Sequence, residues 1–494
     1  LKPNPFEIEL RSTRVRAMRL QALVLVALLI AGSNSENCSD CEDAWLVQAR
    51  AQTRPAWKSP RDLAIVVPPT PMSWGHFQLQ FLSAIPVFGN GTNYIALLHD
   101  YNFNLWRHAT ESQLFCASSD RSHKAALKVW GGEMDIPRKR ILAFHCPWPQ
   151  EAADGNYHLI VQSNEGVLGE VRTRQAPNLL GRHETIACIN VAWNTPGMKP
   201  TSTRAPQWLE YNLMHGVGHF LLYTQDGMDQ EFLQVYRPYL QEGLATRIHI
   251  TPVKTQFNTS RGMHYSTQNW VANDCLYRAK HHARWVMPTI DLDEYLVLKE
   301  SAPPAWHGPH FMAKLWDQVA ANASKTRDEV HAVMLSRYNF LISPAPELEV
   351  TSTLRQREVA PLCPKYVLNP DAVNLAFVHW PTNWAEGTVS LVLPKDLASL
   401  NHYRFSEEKY LGEEMRDETL VPEAPAIANA LRARFRKPWE ELVLELTPTA
   451  AAHVPDVDVP QKVDYSARAW TCFNAVRDAS KVEIVHLRGG LTDP

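Results

Sequence analysis

Asp291-Leu292-Asp293-Glu294 crowds three carboxylates into four residues. Carboxylates this close repel one another unless a cation lies between them. Oxygen ligands at that spacing suit Mg²⁺ or Mn²⁺, above all when phosphate oxygens complete the shell. A D-x-D tetrapeptide on its own is common in solvated turns, so its setting decides its weight. Here it follows directly on Trp285-Val-Met-Pro-Thr-Ile290, which reads as a buried strand. Ligands of open α/β sheets bind beyond the carboxyl ends of strands, which is where these acids stand. An extended backbone would send Asp291 and Asp293 to one face and Glu294 to the other. Pro288 removes a ladder donor just upstream, so the strand should bend or lie partly unpaired there.

The segments before this motif alternate in texture. Thr185 to Val191 is a largely apolar run, as a strand buried on both faces would be. Pro206 is read as a helix start, with Leu209, Leu213 and Val217 recurring every fourth residue. A second strand from His219 should end at Asp226, a second helix should span Phe232 to Leu240, and a third strand Ala245 to Ile250. The spacing of Val271, Cys275, Ala279 and Ala283 predicts a long third helix. Strand and helix in alternation imply an α/β domain with a mostly parallel sheet. Earlier in the chain, short alternating runs between Leu63 and Pro177, bounded by Pro, Gly and Asn, predict an antiparallel N-terminal domain, read as a β-sandwich. After Pro422 the expectation is a helix over Ala426 to Arg436 and then an irregular tail.

The first forty residues speak to compartment. Arg11, Arg14, Arg16 and Arg19 precede an apolar run from Ala22 to Ala31, and Gly32 and Ser33 follow. That is the layout of a secretory signal, with Met18 as a conventional start, and the run is shorter than the ~20 apolar residues a bilayer span needs. Asn37, Asn90, Asn258 and Asn322 each open an N-x-[ST] sequon, which agrees with passage through the endoplasmic reticulum and Golgi. Disulfides persist there. Cys38 and Cys41 are expected in a short-loop disulfide or in linkage to Cys116 or Cys146, and no second C-x-x-C accompanies them as a zinc site would require.

With 494 residues and 45% apolar content the chain has ample core material, so disordered, fibrous and coiled-coil classes are excluded. The 49 Lys and Arg nearly cancel the 52 Asp and Glu, leaving −3. No basic field exists to condense nucleic acid, and no nucleic-acid partner is expected. Aromatic residues are abundant; their flat faces can stack on sugar rings, but they are also ordinary core material.

In their order, several segments resemble glycosyltransferase family 92. They are Gln207-Trp-Leu-Glu-Tyr-Asn212, Gly216-Val-Gly-His-Phe220, Tyr236-Arg-Pro-Tyr239, Gln268-Asn-Trp-Val-Ala-Asn-Asp-Cys-Leu-Tyr-Arg278 and Trp285 to Leu296. Lys365-Tyr-Val-Leu-Asn-Pro370, Val378-His379 and Asn401-His-Tyr-Arg404 are similar to later elements of that family, so the likeness spans roughly residues 183 to 412. The resemblance implies a GT-A (Rossmann-like) fold and inverting transfer of galactose from UDP-galactose to a glycan acceptor. It places Asp291 and Asp293 on a divalent cation, Mn²⁺ or Mg²⁺, and on the pyrophosphate of the UDP-sugar donor. His402 becomes the candidate third metal ligand, and Arg404 a phosphate contact. Gln268, Asn273 and Asp274 are assigned to the nucleotide or to orienting the strand, with a salt bridge from Asp274 to Arg278 as the alternative. Glu294 is a candidate general base, along with Glu347, Glu349 and Glu386.

The resulting organisation is a signal peptide or short signal anchor (1–34), a stem (35–62), a β-rich N-terminal domain (63–180), a GT-A transferase domain (183–420), and a C-terminal helix and tail (421–494). The implied location is the Golgi lumen, or its membrane through the N-terminus. Three positions depart from the family's usual pattern: Gln207 stands for Glu, Asn212 for His, and Pro288 interrupts the strand. A catalytically silent glycan-binding relative is the alternative reading of the same features.

Overall fold

The computed structural model describes residues 182–191, 201–225, 228, 230–250, 260–280, 282–341, 347–357, 364–405 and 414–447, with strands between Thr70 and Arg174 and the strand Ile484–His486. The signal-like run, the stem, Cys38, Cys41 and the sequons at Asn37, Asn90 and Asn258 lie outside the described residues. Asn322 lies within them, exposed at the end of a helix.

Strands β1 to β9, between Thr70 and Arg174, pair only antiparallel, in a five-stranded and a four-stranded sheet. The alternation in the sequence anticipates that pairing. The face-to-face packing of a sandwich rests on side chains that lie largely outside the described residues.

Downstream, β10 (His183–Ile189), β11 (His219–Gln225) and β12 (Ala245–Ile250) run parallel, and β13 (Ala283–Met287) pairs parallel on the other side of β10. Helices α1 (Thr201–Met214), α2 (Gln230–Gln241) and α3 (Ser260–Ala279) make the connections. Ile186 to Ile189 and Phe220 to Tyr223 are buried without a break, as strands covered on both faces must be. Each such aliphatic side chain removed from water contributes ~1.5–3 kcal/mol. The sheet continues through β18 (Lys365–Leu368), β15 (Val330–Leu335), β21 (Val389–Leu393) and β24 (Ile484–His486), in the order β12-β11-β10-β13-β18-β15-β21-β24. Only β18 runs antiparallel to its neighbours, so the mostly parallel sheet expected from the alternation is present. β11 and β13 flank β10 on opposite sides, which puts the topological switch point, where open α/β sheets form their ligand crevice, between the carboxyl ends of β10 and β13.

A second sheet, β14-β22-β16-β17-β23, stands after the acidic motif. It joins β14 (Glu294–Leu298), β22 (Ala398–Phe405), β16 (Arg337–Leu341), β17 (Leu354–Gln356) and β23 (Glu414–Arg416). α1 locks β14 in place from one face: the Trp208 indole donates to Glu294 O at 2.8 Å and Tyr211 Oη to Leu296 O at 2.5 Å. Arg204, Trp208 and Tyr211 sit one turn apart, so a single face of α1 reads off the strand.

Four expectations need correcting. α1 starts at Thr201 and carries Pro206 inside it, because the turn before the proline is tied down by tertiary bonds such as Ser202 Oγ to Leu446 O at 2.8 Å. Ala283 opens β13 and does not close α3, since pairing with His183 draws it into the sheet. β13 stops at Met287, so Pro288 sits outside the ladder. The tail is not wholly irregular: β24 extends the large sheet along β21, and after α4 (Ala424–Phe435) a further helix, α5 (Trp439–Leu446), buries Trp439, Leu442, Val443 and Leu446. In addition, Cys188 of β10 and Cys275 of α3 form a disulfide across 87 residues. Closing so long a loop is worth ~2–5 kcal/mol in a chain-entropy account.

Candidate functional site

Beyond Pro288 the chain does not stay extended. Glu294 N–H donates to Asp291 O at 3.0 Å, which folds Asp291 to Glu294 into a tight turn. Glu294 Oε2 in return accepts the Asp291 N–H at 3.1 Å, and Tyr403 N–H of β22 donates to Asp293 O at 2.9 Å. The turn is therefore pinned from inside and from the neighbouring strand. Its two aspartates stay open to solvent, with 41% of the Asp291 side chain and 22% of the Asp293 side chain exposed, while Glu294 is fully buried.

Cations hold these acids from below. Lys365, buried at the start of β18, places Nζ 2.8 Å from Asp291 Oδ2 and 3.2 Å from Glu294 Oε2, and also donates to Thr289 O. Arg337 Nη1 donates to Glu294 Oε1 at 3.2 Å. Arg204 of α1 donates Nη1 to Asp293 Oδ2 at 3.3 Å and places Nε 3.2 Å from Glu349 Oε1. Burial alone would raise the Asp293 carboxyl; His402, Arg204 and Lys365 outweigh it and hold the group well below the usual carboxylate range. Glu294 is held down in the same way by Lys365, His402 and Arg337. Both carboxylates are ionised at neutral pH.

His402 completes the arrangement. It lies on β22 directly beside Glu294 of β14, and its Nε2 is 3.5 Å from Asp293 Oδ2. Two carboxylates and an imidazole are donors that Mn²⁺ accepts. Among the described residues no three His, Cys, Asp or Glu side chains converge on one point. Mg²⁺ and Mn²⁺ sites in general need fewer protein donors where water and phosphate oxygens complete the shell. At the carboxyl end of β10, Asn190 Oδ1 accepts the Val191 N–H at 2.9 Å, and its buried Nδ2 has no partner among the described residues. An amide donor and an acidic turn thus stand at the ends of the two strands that bound the crevice.

The family model for glycosyltransferase family 92 matches residues 198–444, half of the chain. The chain belongs to glycosyltransferase family 92.

Three curated proteins of Arabidopsis thaliana are similar over a shorter stretch. Galactan beta-1,4-galactosyltransferase GALS2 is 28% identical over 95 residues, 19% of this chain and 17% of that protein. GALS1 is 26% identical over 100 residues, 20% of this chain and 19% of the relative, and GALS3 is 27% identical over 95 residues, covering 19% and 18%. The chain thus spans less than a fifth of the length of these relatives. Ferredoxin-NADP+ reductase from Plasmodium falciparum overlays at 10% identity with a TM-score of 0.13, covering 41% of this chain and 81% of that one.

Of the positions that carry the resemblance to family 92, the structure brings Asp291, Asp293, Glu294 and His402 together. Arg404 follows two residues later on the same strand, its side chain outside the described set. Gln268 is half-buried on α3. Asn273, also on α3, is spent on backbone: Nδ2 donates to Ala376 O at 2.7 Å and Oδ1 accepts the Ala376 N–H at 2.9 Å. Asp274 takes Arg278 Nε at 2.5 Å and the Tyr223 hydroxyl at 2.6 Å, the salt-bridge alternative for this residue. Among the other acids named as bases, Glu347 and Glu386 are exposed and Glu349 is fully buried against Arg204. His379, half-buried and close to Lys365, is pushed down to about 3, by desolvation first and then by Lys365 and Arg337.

Sequence reasoning gave no role to Arg204, Arg337, Asn339 or Lys365. Lys365 carried a signal: a lysine opening the otherwise apolar run Lys365-Tyr-Val-Leu368 needs a buried anion. Arg204 carried none, because its partner is 89 residues away.

Proposed function

We propose that this chain is an inverting, metal-dependent glycosyltransferase that moves galactose from UDP-galactose to a glycan acceptor. One observation carries the reading: an acidic turn at the end of β13, open to solvent on Asp291 and Asp293, with the His402 imidazole 3.5 Å from Asp293 Oδ2. The position of that turn at the crevice between β10 and β13 supports a GT-A arrangement. Family membership supports glycosyl transfer, and the names of the Arabidopsis relatives support galactose as the sugar.

In this reading Asp291, Asp293 and His402 hold Mn²⁺ or Mg²⁺, which supplies Lewis-acid neutralisation of the charge developing on UDP. The protein's own residues keep that site ready. Arg204 and Lys365 hold the two aspartates in place, so no reorganisation is needed when the donor arrives. Arg404 takes a phosphate oxygen, and Gln268 lies toward the nucleotide. Both oxygens of Glu294 are engaged, by Lys365, Arg337 and the Asp291 N–H, so its work is to hold the cations beneath the turn. A base must reach the acceptor hydroxyl, and Glu294 is fully buried with both oxygens turned to these partners. The Cys188–Cys275 disulfide and the exposed sequon at Asn322 support a lumenal, secretory setting. Among the described residues no helix is long and apolar enough to cross a membrane.

The test is UDP release from a panel of UDP-sugars with Mn²⁺, with and without chelator and acceptor. Release from UDP-galactose that needs acceptor and stops on chelation is the expected result. Silence across the panel, with no UDP binding, overturns the reading in favour of a glycan-binding protein.

A further inference from the structure

Beneath His402 a row of polar side chains crosses the second sheet. Strand register sets Glu294 of β14 beside His402 of β22, and His402 beside Asn339 of β16. Asn339 and His402 are both more than nine-tenths buried. Asn339 Oδ1 lies 3.1 Å from His402 Nδ1, and Asn339 Nδ2 donates to Gln356 Oε1 at 2.8 Å. A primary amide has one donor end and one acceptor end. Gln356 takes the donor end, so only a carbonyl oxygen faces the imidazole. A carbonyl cannot donate, and Nδ1 must therefore carry the proton. In the neutral ring the lone pair then sits on Nε2, the atom 3.5 Å from Asp293 Oδ2.

We propose that Asn339, oriented by Gln356, is a positioning residue that fixes His402 as its Nδ1–H tautomer and so reserves Nε2 for a divalent cation shared with Asp293. The inference rests on the reading of His402 and Asp293 as metal ligands. Without Asn339 the ring is free to move its proton to Nε2 and donate directly to Asp293, which would occupy both ligands with each other. Histidines on metals generally hand their second N–H to such an acceptor, and losing it costs ~10–100-fold in metal affinity.

The test uses the full chain in two measurements. The first follows Mn²⁺ binding by electron paramagnetic resonance, with UDP present, in the unaltered protein and in Asn339→Leu, Asn339→Asp, Gln356→Leu and His402→Ala. The second reads the His402 tautomer from two-bond ¹H–¹⁵N couplings in metal-free protein, at a pH where the couplings show the ring to be neutral, assigned against His402→Ala. Expected are an Nδ1–H signature in the unaltered chain and its loss in Asn339→Leu, with Mn²⁺ binding ~10–100-fold weaker. Asn339→Asp, which still accepts from Nδ1, should keep both the signature and the affinity, and Gln356→Leu should show a smaller loss. An Nε2–H signature in the unaltered chain overturns the proposal even where a variant does not fold. Unchanged Mn²⁺ affinity in Asn339→Leu, with weakened affinity in His402→Ala, overturns the positioning role and leaves the metal site standing. Failure of the unaltered protein to bind Mn²⁺ overturns the metal reading and the proposal with it; the tautomer signature then tells whether Asn339 still orders the ring.

Discussion

Asn273-Asp274 on α3 and Asp291-x-Asp293 after β13 are built from similar side chains, and the resemblance to family 92 assigns both to the nucleotide. The structure gives them opposite surroundings. Asp274 is buried and saturated by Arg278 and Tyr223, and Asn273 is saturated by the backbone of Ala376. Asp291 and Asp293 meet cations on one side only and keep their other side in solvent. Residue type therefore does not separate an open carboxylate from a saturated one. What separates them is whether the fold leaves an oxygen facing solvent.

The largest effect should come from the open pair. Asp293→Ala is expected to lower metal-dependent transfer about a thousandfold, the scale of losing one preorganised charge at a developing anion. Arg204 keeps Glu349, so denaturant stability should fall by no more than about 1–2 kcal/mol. Kinetics and urea melts on the same preparations decide it. Transfer that survives, or a chain that unfolds, would erase the distinction between the two motifs.

Next comes the saturated pair. Asp274→Asn leaves the buried Arg278 without its anion and should cost about 4 kcal/mol of stability. On the folded fraction, Mn²⁺ and UDP affinity should not change. Lost UDP binding with an intact melting curve would move α3 into the site and break the comparison.

Much of this division could be read in advance, and the remainder could not, for a physical reason. The boundaries of β12, the parallel character of the large sheet and the acidic motif at a strand's carboxyl end all follow from local period and composition. Pro288 marked a break, although the strand was expected to run on to Ile290 and ends at Met287. The residues that support the site could not be placed, because Arg204, Lys365 and Asn339 lie 89, 74 and 63 residues from the partners they serve. Register between strands selects such partners, and register is a property of the assembled sheets. The same holds for Cys188 and Cys275. Each sat in a correctly expected element, yet connectivity is not deducible from spacing. α1 extends a turn upstream of Pro206 because Ser202 and Arg204 find tertiary partners, which outweigh local propensity.

Acid should separate the two regions further. The Glu294 carboxyl is held below its usual range: burial opposes this, and Lys365, His402 and Arg337 overcome it. A carboxyl depressed in the folded state contributes stability that is present above its unfolded pKa, ~4.3, and is lost as pH falls through the folded value. Urea midpoints of the unaltered chain should therefore drop below about pH 4.3. Glu294→Gln should be about 3 kcal/mol less stable at neutral pH, with Lys365 and Arg337 left short of an anion, and flatter across the acid window. An equally steep acid response in the variant would place its source elsewhere.

The smallest effect tests a departure from the family pattern. Gln207, fully buried on α1, uses both ends of its amide: Oε1 accepts the Glu349 N–H at 2.8 Å and Nε2 donates to Thr203 O at 2.8 Å. A glutamate, the family's usual residue there, would keep the first bond, lose the second and set a carboxylate near Glu349. Gln207→Glu should cost about 1–2 kcal/mol, the range for losing one buried side-chain hydrogen bond. Its effect on the donor KM should be nil, because Gln207 touches the backbone of Glu349 and neither aspartate of the turn. A marked gain in transfer would mean that charge at this position reaches Asp293 through Glu349 and Arg204. The open motif would then extend into α1, and saturation by neighbours would no longer be enough to mark a residue as structural.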